Sequence, residues 1–365
     1  MGTSRRRFLG LTAAAVGSAA VGVSPAAASC RTGSTLYLGT YTSPAGGGTG
    51  IGVASYDLAS GQITSTGVLA GVQDPSFLIL SQSGRHLYAV NEQAAGGVTA
   101  VTVDAPGKLR LLNRQPNGGS APCHLELVAN GKYLVSANYS SGDLAVHPVN
   151  TDGSLGQQTD LVKHAGSAPH AHQVLQDPTG NYVLAVDLGT DSIYTYTIAA
   201  GKLTLRSQAS VAAGAGPRHL AFHPNGRFAY VANELNSTIT VCQYESGRLT
   251  PGTTQTTIPA GSPQNYPGEV IVSPDGRFVY LTNRGHNSIA VFAVESGGAA
   301  IRLVGTPSCG GDWPRHVTLD PTGKLMFVSN QRSNTIKTFH RNTQTGELTS
   351  AATLSTPIPV CVVPG

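Results

Sequence analysis

The chain has 365 residues, 40% of them hydrophobic and 12% charged, and this length suits either two ordinary domains or one large all-β array. Its 45 glycines and 22 prolines, with Val, Thr and Tyr in short runs, favour many short strands joined by tight turns over long helices. Removing three of the 23 basic residues, Arg5, Arg6 and Arg7, leaves 20 against 19 acidic residues, a balance that excludes a broad basic face and predicts no nucleic-acid partner.

The first thirty residues have the pattern of an export signal. The motif "SRRRFLG" places paired arginines before Phe-Leu, and a weakly apolar stretch with an Ala-x-Ala cleavage site after Ala28 follows it. That stretch is too short and glycine-rich to span a membrane stably. We predict a twin-arginine signal peptide over residues 1–30, a single mature domain over 31–365, and an extracellular or cell-envelope location. A lipoprotein site at Cys30 is the alternative, although Ala27 stands where a larger aliphatic residue is usual.

The cysteines are widely spaced and form no CxxC pair. They are Cys30, Cys123, Cys242, Cys309 and Cys361. This spacing predicts neither a zinc site nor a disulfide framework, and it leaves one incidental disulfide open in an oxidising compartment. We expect no cofactor.

A repeat of just under fifty residues fills the rest of the chain. Each copy has a Pro, a short apolar run, a Gly turn and a second run that ends in Asn, as in "PRHLAFHPNGRFAYVAN". The turn glycines are Gly84, Gly131, Gly180, Gly226, Gly276 and Gly323, spaced 46 to 50 residues apart. A further strand pair follows each copy, for example "STITVCQYESGRLT". Four short strands in such a period indicate a blade of a β-propeller.

A seventh copy is split between the two ends of the chain. The segment "TPIPVCVVPG", Thr356 to Gly365, matches the first strand of a blade, and "TLYLGTY", Thr35 to Tyr41, matches the second. Pairing of the two segments would hide both free sheet edges. We therefore predict an all-β fold, a single seven-bladed β-propeller closed by pairing of the C-terminal strand, Ile358 to Val363, with the N-terminal strand.

The antiparallel strands of a blade bring the start of the first strand and the end of the second to one rim, so Arg218 and Glu234 face the same rim. Seven blades collect such residues around one mouth of the central channel. The starts of the first strands supply Ser76-Phe77, Cys123-His124, His170-Ala171-His172, Arg218-His219, Gly268-Glu269, Arg315-His316 and Ile358-Pro359. The ends of the second strands supply Tyr41, Glu92, Tyr139, Leu188, Glu234, Arg284 and Gln331. This polar mouth predicts a small-molecule site.

The segments "GPRHLAFHPNGRFAYVANELNSTI", "APHAHQV", "FVYLTNRGHNSI" and "LYLGTYT" resemble the lactonase family of seven-bladed propellers, and the resemblance covers the mature chain. That family includes propeller-type 6-phosphogluconolactonases and fungal 3-carboxy-cis,cis-muconate lactonizing enzymes. The resemblance implies ring-opening or ring-closing chemistry on a five- or six-membered lactone that bears an anionic group. It carries the family's site residues to His170 or His172, Arg218, Glu234 and Arg284.

Hydrolysis of a lactone needs a base that activates water, a positive group for the developing oxyanion and a clamp for the substrate's anionic group. Histidine and a partly desolvated Glu234 suit the first task, and arginines suit the other two. The predicted catalytic residues are His170, Arg218, Glu234 and Arg284. The predicted substrate-binding residues are His172, His219, Glu269, Arg315, His316 and Gln331. Since no GxSxG elbow occurs, we expect a water-mediated reaction without a protein nucleophile.

The histidines also have structural interpretations. His170 and His172, two residues apart on a strand, would project to the same side and could be metal ligands. A metal site usually needs a third nearby ligand, so we predict no metal. His219 and His316 could simply form hydrogen bonds between blades.

Two further patterns have a structural alternative. Arg218 and Glu234 could be an ion pair that fixes their hairpin, whereas Arg284 and Arg315 have no obvious acidic partner nearby in the sequence. The glycine-rich run Gly46 to Gly52 resembles a phosphate-binding loop, but it precedes a strand instead of a helix and indicates a connection between strands.

Two classes of function remain open. One is an exported lactone hydrolase, with a lactonizing cycloisomerase as its variant, and the other is a non-enzymatic propeller that binds a ligand or a protein. The mouth is rich in His and Arg and poor in aromatic residues, which favours the enzyme over a protein-binding rim. We predict a monomeric hydrolase for a small anionic or sugar-derived lactone. Because the pentose-phosphate lactone is cytoplasmic, we expect an exported member to act on another lactone.

Overall fold

The computed structural model describes residues 35–365, and the predicted signal peptide, residues 1–30, lies outside this part of the chain. The described residues form 28 strands and one short 3-10 turn, Ser296–Gly298. The strands build seven antiparallel sheets of four strands each. Within residues 35–365 no helix is long and apolar enough to cross a membrane. The all-β prediction is confirmed.

The strands are numbered in chain order, and each sheet is one blade. Blade 1 contains β1 (Thr35–Thr40), β2 (Gly50–Tyr56), β3 (Ile63–Ala70) and the last strand of the chain, given below. Blade 2 contains β4 (Leu78–Leu80), β5 (His86–Asn91), β6 (Gly97–Ala105) and β7 (Lys108–Pro116). Blade 3 contains β8 (Pro122–Val128), β9 (Tyr133–Asn138), β10 (Asp143–Pro148) and β11 (Asp160–Lys163). Blade 4 contains β12 (Ala171–Gln176), β13 (Val183–Asp187), β14 (Ser192–Ala199) and β15 (Lys202–Ser210).

The remaining blades follow the same order. Blade 5 contains β16 (Pro217–Phe222), β17 (Phe228–Asn233), β18 (Thr238–Glu245) and β19 (Arg248–Thr256). Blade 6 contains β20 (Tyr266–Val272), β21 (Phe278–Arg284), β22 (Ser288–Glu295) and β23 (Ala300–Gly305). Blade 7 contains β24 (Pro314–Leu319), β25 (Leu325–Asn330), β26 (Thr335–Arg341) and β27 (Leu348–Ser355). The last strand is β28 (Pro359–Pro364), which pairs with β1.

The first strand of every blade contacts the first strand of both neighbouring blades, so these seven strands form a closed ring around the channel. The second strands are buried on both faces between adjacent blades, and every residue of β25, for example, is buried. This explains their continuous apolar sequence, since a strand buried on both faces does not alternate. The outer strands, such as β15, are largely exposed.

The turn glycines occupy the conformation that the repeat requires. All six have a positive φ, between 66° and 77°, between the first and second strands of their blades. Residues with a side chain adopt this left-handed region only at a cost, whereas glycine enters it freely. The prediction of these turns from the glycine spacing is confirmed.

Fully buried tyrosines on the second strands link neighbouring blades. The hydroxyl groups of Tyr88, Tyr230 and Tyr280 each donate a hydrogen bond of 3.0 to 3.1 Å to a carbonyl oxygen of the next blade. The acceptors are Gly153, Gly298 and Gly346. A buried tyrosine needs such a partner, so the apolar ring and its polar tip are both satisfied at the blade interface.

The two ends of the chain close the propeller as predicted. Strand β28 pairs antiparallel with β1, with Leu36 opposite Pro364 and Leu38 opposite Val362. The strand begins at Pro359, one residue later than predicted, because Ile358 has a positive φ of 35°. Leu36, Leu38 and Val362 also pack against the apolar core of blade 7.

Deletion of residues 356–365 is therefore expected to abolish cooperative unfolding or to cause aggregation. It would expose the hydrogen-bonding edge of β1 and remove Val360, Cys361 and Val362 from the core. Thermal unfolding followed by circular dichroism tests this expectation. A truncated protein that unfolds at the temperature of the full-length chain would show that the terminal pairing does not hold the ring closed.

The four described cysteines, Cys123, Cys242, Cys309 and Cys361, are buried and unpaired with one another. The fifth, Cys30, lies outside the described residues. Burial raises the pKa of the Cys361 thiol to about 12, so this side chain behaves as a small apolar residue in the core.

Candidate active site

The first strands of several blades begin with a β-bulge. The pairing register shifts between Pro217 and His219, and similar shifts occur at the starts of β8, β12 and β24. In a bulge, two residues oppose one residue of the partner strand, and the local bend re-aims their side chains. Arg218 and His219 can therefore line the same small cavity although they are consecutive. Simple strand alternation would have placed them on opposite faces.

Glu234 binds two arginines from neighbouring blades at the mouth of the channel. Its Oε2 lies 3.2 Å from Nε of Arg218 and 2.7 Å from Nη2 of Arg284. Both arginine side chains are buried, at 3% and 6% exposure, and Glu234 is 18% exposed. Arg284 has no acidic partner nearby in the sequence, and its partner comes from the preceding blade, where Glu234 follows β17 and reaches Arg284 at the end of β21.

Arg315 also has an acidic partner that is distant in the sequence, Glu92. Its Nη2 lies 3.8 Å from Oε2 of Glu92, and the hydroxyl of Tyr41 donates to that oxygen at 2.8 Å. The guanidinium of Arg315 lies over the ring of Tyr41. Since 3.8 Å is longer than a hydrogen bond, Arg315 is held less tightly than Arg284.

Arg218 has unused hydrogen-bond donors. Its Nε and Nη1 are buried, and neither has an aligned hydrogen-bond acceptor among residues 35–365. Burial, and then the charges of Arg284 and Arg315, lower the pKa of this guanidinium. A buried donor without a partner is unfavourable by about 1 to 3 kcal/mol. An anionic oxygen that accepts a hydrogen bond from this donor would remove that cost and bind favourably.

His170 lies beside the mouth with a defined tautomer. Its Nδ1 is 2.9 Å from the carbonyl oxygen of Tyr139, and its ring stacks on the Tyr139 ring at 4.6 Å. A carbonyl oxygen only accepts hydrogen bonds, so Nδ1 carries the proton and Nε2 of the neutral ring can accept one. Burial, and then the charge of Glu234, raise the pKa of Tyr139.

A buried network of four side chains, one from each of blades 4 to 7, lies below the mouth and reaches the backbone of blade 1. His219 Nδ1 is 2.8 Å from Oε1 of Glu269, and His219 Nε2 is 3.1 Å from Nδ1 of His172. His316 Nε2 lies 3.9 Å from the other oxygen of Glu269, and its Nδ1 accepts a hydrogen bond from the backbone of Val362. These contacts agree with the structural interpretation of His219 and His316 as residues that bond between blades.

The predicted site residues thus fall into two layers. The upper layer contains His170, Arg218, Glu234, Arg284 and Arg315, and the lower layer contains His172, His219, Glu269 and His316. Gln331 lies at the mouth, where its backbone N–H donates to the carbonyl oxygen of Trp313. A cavity of about 10 Å³ is lined by residues of both layers, among them Arg218, Arg315, His219, Glu269 and His316.

His170 precedes β12, so strand alternation does not relate it to His172. The two rings bond in different directions, to Tyr139 and to His219. In the part of the chain that the structure describes, no group of three His, Cys, Asp or Glu side chains is arranged to hold a metal ion.

Some residues of the site were not singled out from the sequence. Tyr41, Glu92 and Tyr139 belong to the predicted mouth, but their contacts with Arg315 and His170 were not anticipated. Trp313 lies at the rim, with Arg332 stacked over its ring at 3.4 Å and Arg284 at 5.7 Å. It is the only tryptophan of the chain and directly precedes the "PRH" motif of blade 7, which is a signal that could have drawn attention to it.

The stability of the protein is expected to fall as the pH drops below about 6.5. Burial holds the pKa values of His124, His172, His219 and His316 below 6.5, so these side chains stay neutral when the unfolded chain already binds protons. The unfolded state then binds more protons than the folded state. Each histidine therefore lowers the free energy of unfolding by up to about 1.4 kcal/mol for each pH unit below this value. Urea unfolding between about pH 5 and 8 measures the slope, and His316→Gln should reduce it. A flat profile would contradict the burial of these rings.

The upper layer combines buried arginines with a histidine ring, groups that suit a hydrolytic reaction on an anionic substrate within a propeller fold. The comparison with protein families identifies the family. The model of the family described as "Lactonase, 7-bladed beta-propeller" matches residues 35–364. The chain belongs to this family, and it is by class a lactone-hydrolysing enzyme.

Individual relatives match over nearly their whole length. The 6-phosphogluconolactonase of Bacillus subtilis (strain 168) is 37% identical over 339 residues, which cover 89% of this chain and 97% of that protein. The periplasmic gluconolactonase of Pseudomonas aeruginosa is 31% identical, with a TM-score of 0.85 and coverage of 90% of this chain and 98% of that one. A protein from Lactobacillus plantarum is 33% identical, with a TM-score of 0.85 and the same coverage. The similarity extends over all seven blades.

Proposed function

We propose that the enzyme hydrolyses the lactone of a sugar acid at the channel mouth and binds an anionic group of the substrate there. One observation carries the proposal, namely the buried guanidinium of Arg218, whose Nη1 has no hydrogen-bond acceptor among residues 35–365 while its Nε faces Glu234 without an aligned hydrogen bond. Such donors are suited to an oxygen that becomes negatively charged during the reaction. The names of the Bacillus subtilis and Pseudomonas aeruginosa relatives, a 6-phosphogluconolactonase and a gluconolactonase, support a sugar-acid lactone as substrate.

The reaction uses the upper layer as follows. His170 Nε2 accepts a proton from a water molecule, whose oxygen attacks the lactone carbonyl carbon. Arg218 donates hydrogen bonds to the oxyanion that forms, and Glu234 holds Arg218 and Arg284 together. The ring C–O bond then breaks, and the ring oxygen takes the proton from His170. Arg315, which is held more loosely by Glu92, binds the anionic group of the substrate.

The purified chain without residues 1–30, assayed against a panel of lactones by acid release, tests this function. The panel contains glucono-1,5-lactone, its 6-phosphorylated form and a carboxylated muconolactone. We expect hydrolysis of the sugar-acid lactones to exceed that of the muconolactone. Activity confined to the muconolactone would favour the lactonizing alternative, and binding without turnover of any lactone would favour a ligand-binding propeller.

We also propose that the chain is exported through its twin-arginine motif. The motif and the cleavage site after Ala28 support this location, and the Pseudomonas aeruginosa relative is named as periplasmic. Fractionation of cells that produce the full-length chain tests the proposal. Replacement of both Arg5 and Arg6 by Lys should retain the protein in the cytoplasm, while Arg7→Lys, which keeps one arginine pair, should not. Cytoplasmic retention of the unaltered chain would overturn the proposal.

A further inference from the structure

One position near the end of the second strand has a different chemistry in blade 4; it is the last residue of that strand in every blade except blade 6, where Arg284 follows it. Six blades have a neutral side chain there, namely Thr40, Asn91, Asn138, Asn233, Asn283 and Asn330. Blade 4 has Asp187 instead, and all seven side chains are buried. Because the same fold is satisfied by a neutral residue elsewhere, the carboxylate needs a local explanation.

In three blades, the side chain at this position is bound by a residue of the preceding blade. That residue directly follows the outer strand of its blade. Asn117 Nδ2 donates to Asn138 at 2.7 Å, and Thr257 Oγ1 donates to Asn283 at 2.8 Å. In blade 4 the corresponding contact joins His164 Nδ1 and Asp187 Oδ2 at 2.6 Å.

The first two contacts are neutral pairs, whereas blade 4 uses an ionisable pair with both side chains completely buried. Blade 4 is also the blade that carries His170.

Asp187 accepts three hydrogen bonds. Besides His164, the backbone N–H groups of His170 and Thr190 each donate to Oδ1 at 2.9 Å. A carboxylate can accept all three, whereas an asparagine has one acceptor oxygen and would turn an NH₂ group toward a donor. Burial alone would raise the pKa of Asp187, but the hydrogen bonds from His164 and His170 outweigh it and hold the pKa below its usual value.

The chain around His170 has little freedom to move. The backbone N–H of Leu188 donates to the carbonyl oxygen of His170 at 3.0 Å. A side chain at Gly189 would place its Cβ 1.8 Å from the carbonyl oxygen of Ala168 and 2.8 Å from the His170 ring. The glycine thus permits a close approach that fixes the segment against the end of β13.

We propose that His164 and Asp187 form a positioning pair for His170. The pair holds the backbone of His170, so that Nδ1 stays on the carbonyl oxygen of Tyr139 and Nε2 stays free to accept a proton. The effect of the His170 position on turnover rests on the proposed function, whereas the structural role of the pair in fixing that position does not.

Kinetics of two variants test the pair. Asp187→Asn should lower kcat by about tenfold or more and leave KM within about twofold, because the arginines of the mouth are not touched. The double variant His164→Asn with Asp187→Asn reproduces the Asn117–Asn138 pair of blade 3. It should recover thermal stability toward that of the parent while kcat stays low. Recovery of both quantities would overturn the proposal, since the pair would then be only structural.

Asn330→Ala is the matched control, because it removes the equivalent buried side chain of blade 7, which donates to the carbonyl oxygen of Cys309. It should lower the unfolding temperature and leave kcat unchanged. An equal loss of turnover in this control would mean that any loosening of a blade impairs the enzyme, and the proposal would be overturned.

Nitrogen-15 NMR of the histidine rings gives a readout that does not depend on activity. His170, assigned by comparison with His170→Gln, should show a single Nδ1–H tautomer in the parent and a mixture in Asp187→Asn. An unchanged His170 signal in Asp187→Asn would overturn the proposal. If the signal changes but the parent hydrolyses no lactone, the positioning pair stands and the proposed function fails.

Discussion

Replacement of His170 by Gln should lower turnover of the best lactone by a factor on the order of 10² or more and leave the fold intact. His170 is half-buried and contributes no apolar packing to the blade cores, so its loss has little structural cost. Its Nδ1 bonds to the carbonyl oxygen of Tyr139, so Nε2 is the proton acceptor in the proposed reaction, and glutamine cannot accept a proton at neutral pH. Steady-state kinetics with the purified variant, together with its thermal unfolding, measure the effect.

His86→Gln is the matched control for that experiment, because His86 is also half-buried but begins β5 at the opposite end of the strand from Glu92. We expect it to retain the parent kcat. If activity survives His170→Gln and also the combined replacement of His170 and His172, no histidine of this segment is the base. The mouth would then be better interpreted as a binding surface.

The fold could be predicted from the sequence because its signals are local and repeated. A turn glycine recurs at a nearly constant spacing, and each turn separates two apolar runs of strand length. Once one copy is recognised as a blade, the same pattern predicts the other blades. The closure followed from the two half-repeats at the chain ends. The position of Arg218 and Glu234 on one rim required only that adjacent strands run antiparallel.

The contacts within the site could not be predicted in the same way. Arg284 meets Glu234 fifty residues away, across a blade boundary, and the distance between blades at the mouth depends on how seven sheets pack around the channel. The bulge at Arg218 shifts the alternation of side chains, and although Pro217 begins it, a proline at the start of a strand does not by itself specify a bulge. The tautomer of His170 depends on a backbone carbonyl oxygen of Tyr139, and a backbone group leaves no mark on the sequence pattern.

Arg218→Ala should lower kcat/KM for an anionic lactone by about ten- to a hundredfold, which corresponds to the roughly 1.5 to 3 kcal/mol of a charge-assisted hydrogen bond. Glu234→Gln should lower turnover on the order of 10²-fold, because Arg218 and Arg284 would lose the carboxylate that holds them at 3.2 and 2.7 Å. Since Glu234 acts through these arginines, the effects of the two changes should not add. A double-mutant cycle of Arg218→Ala and Glu234→Gln measures the coupling, and thermal unfolding of each variant separates loss of pairing from loss of fold. Strictly additive effects on kcat/KM would show that Glu234 acts independently of Arg218, and the carboxylate would then have to be a base in its own right.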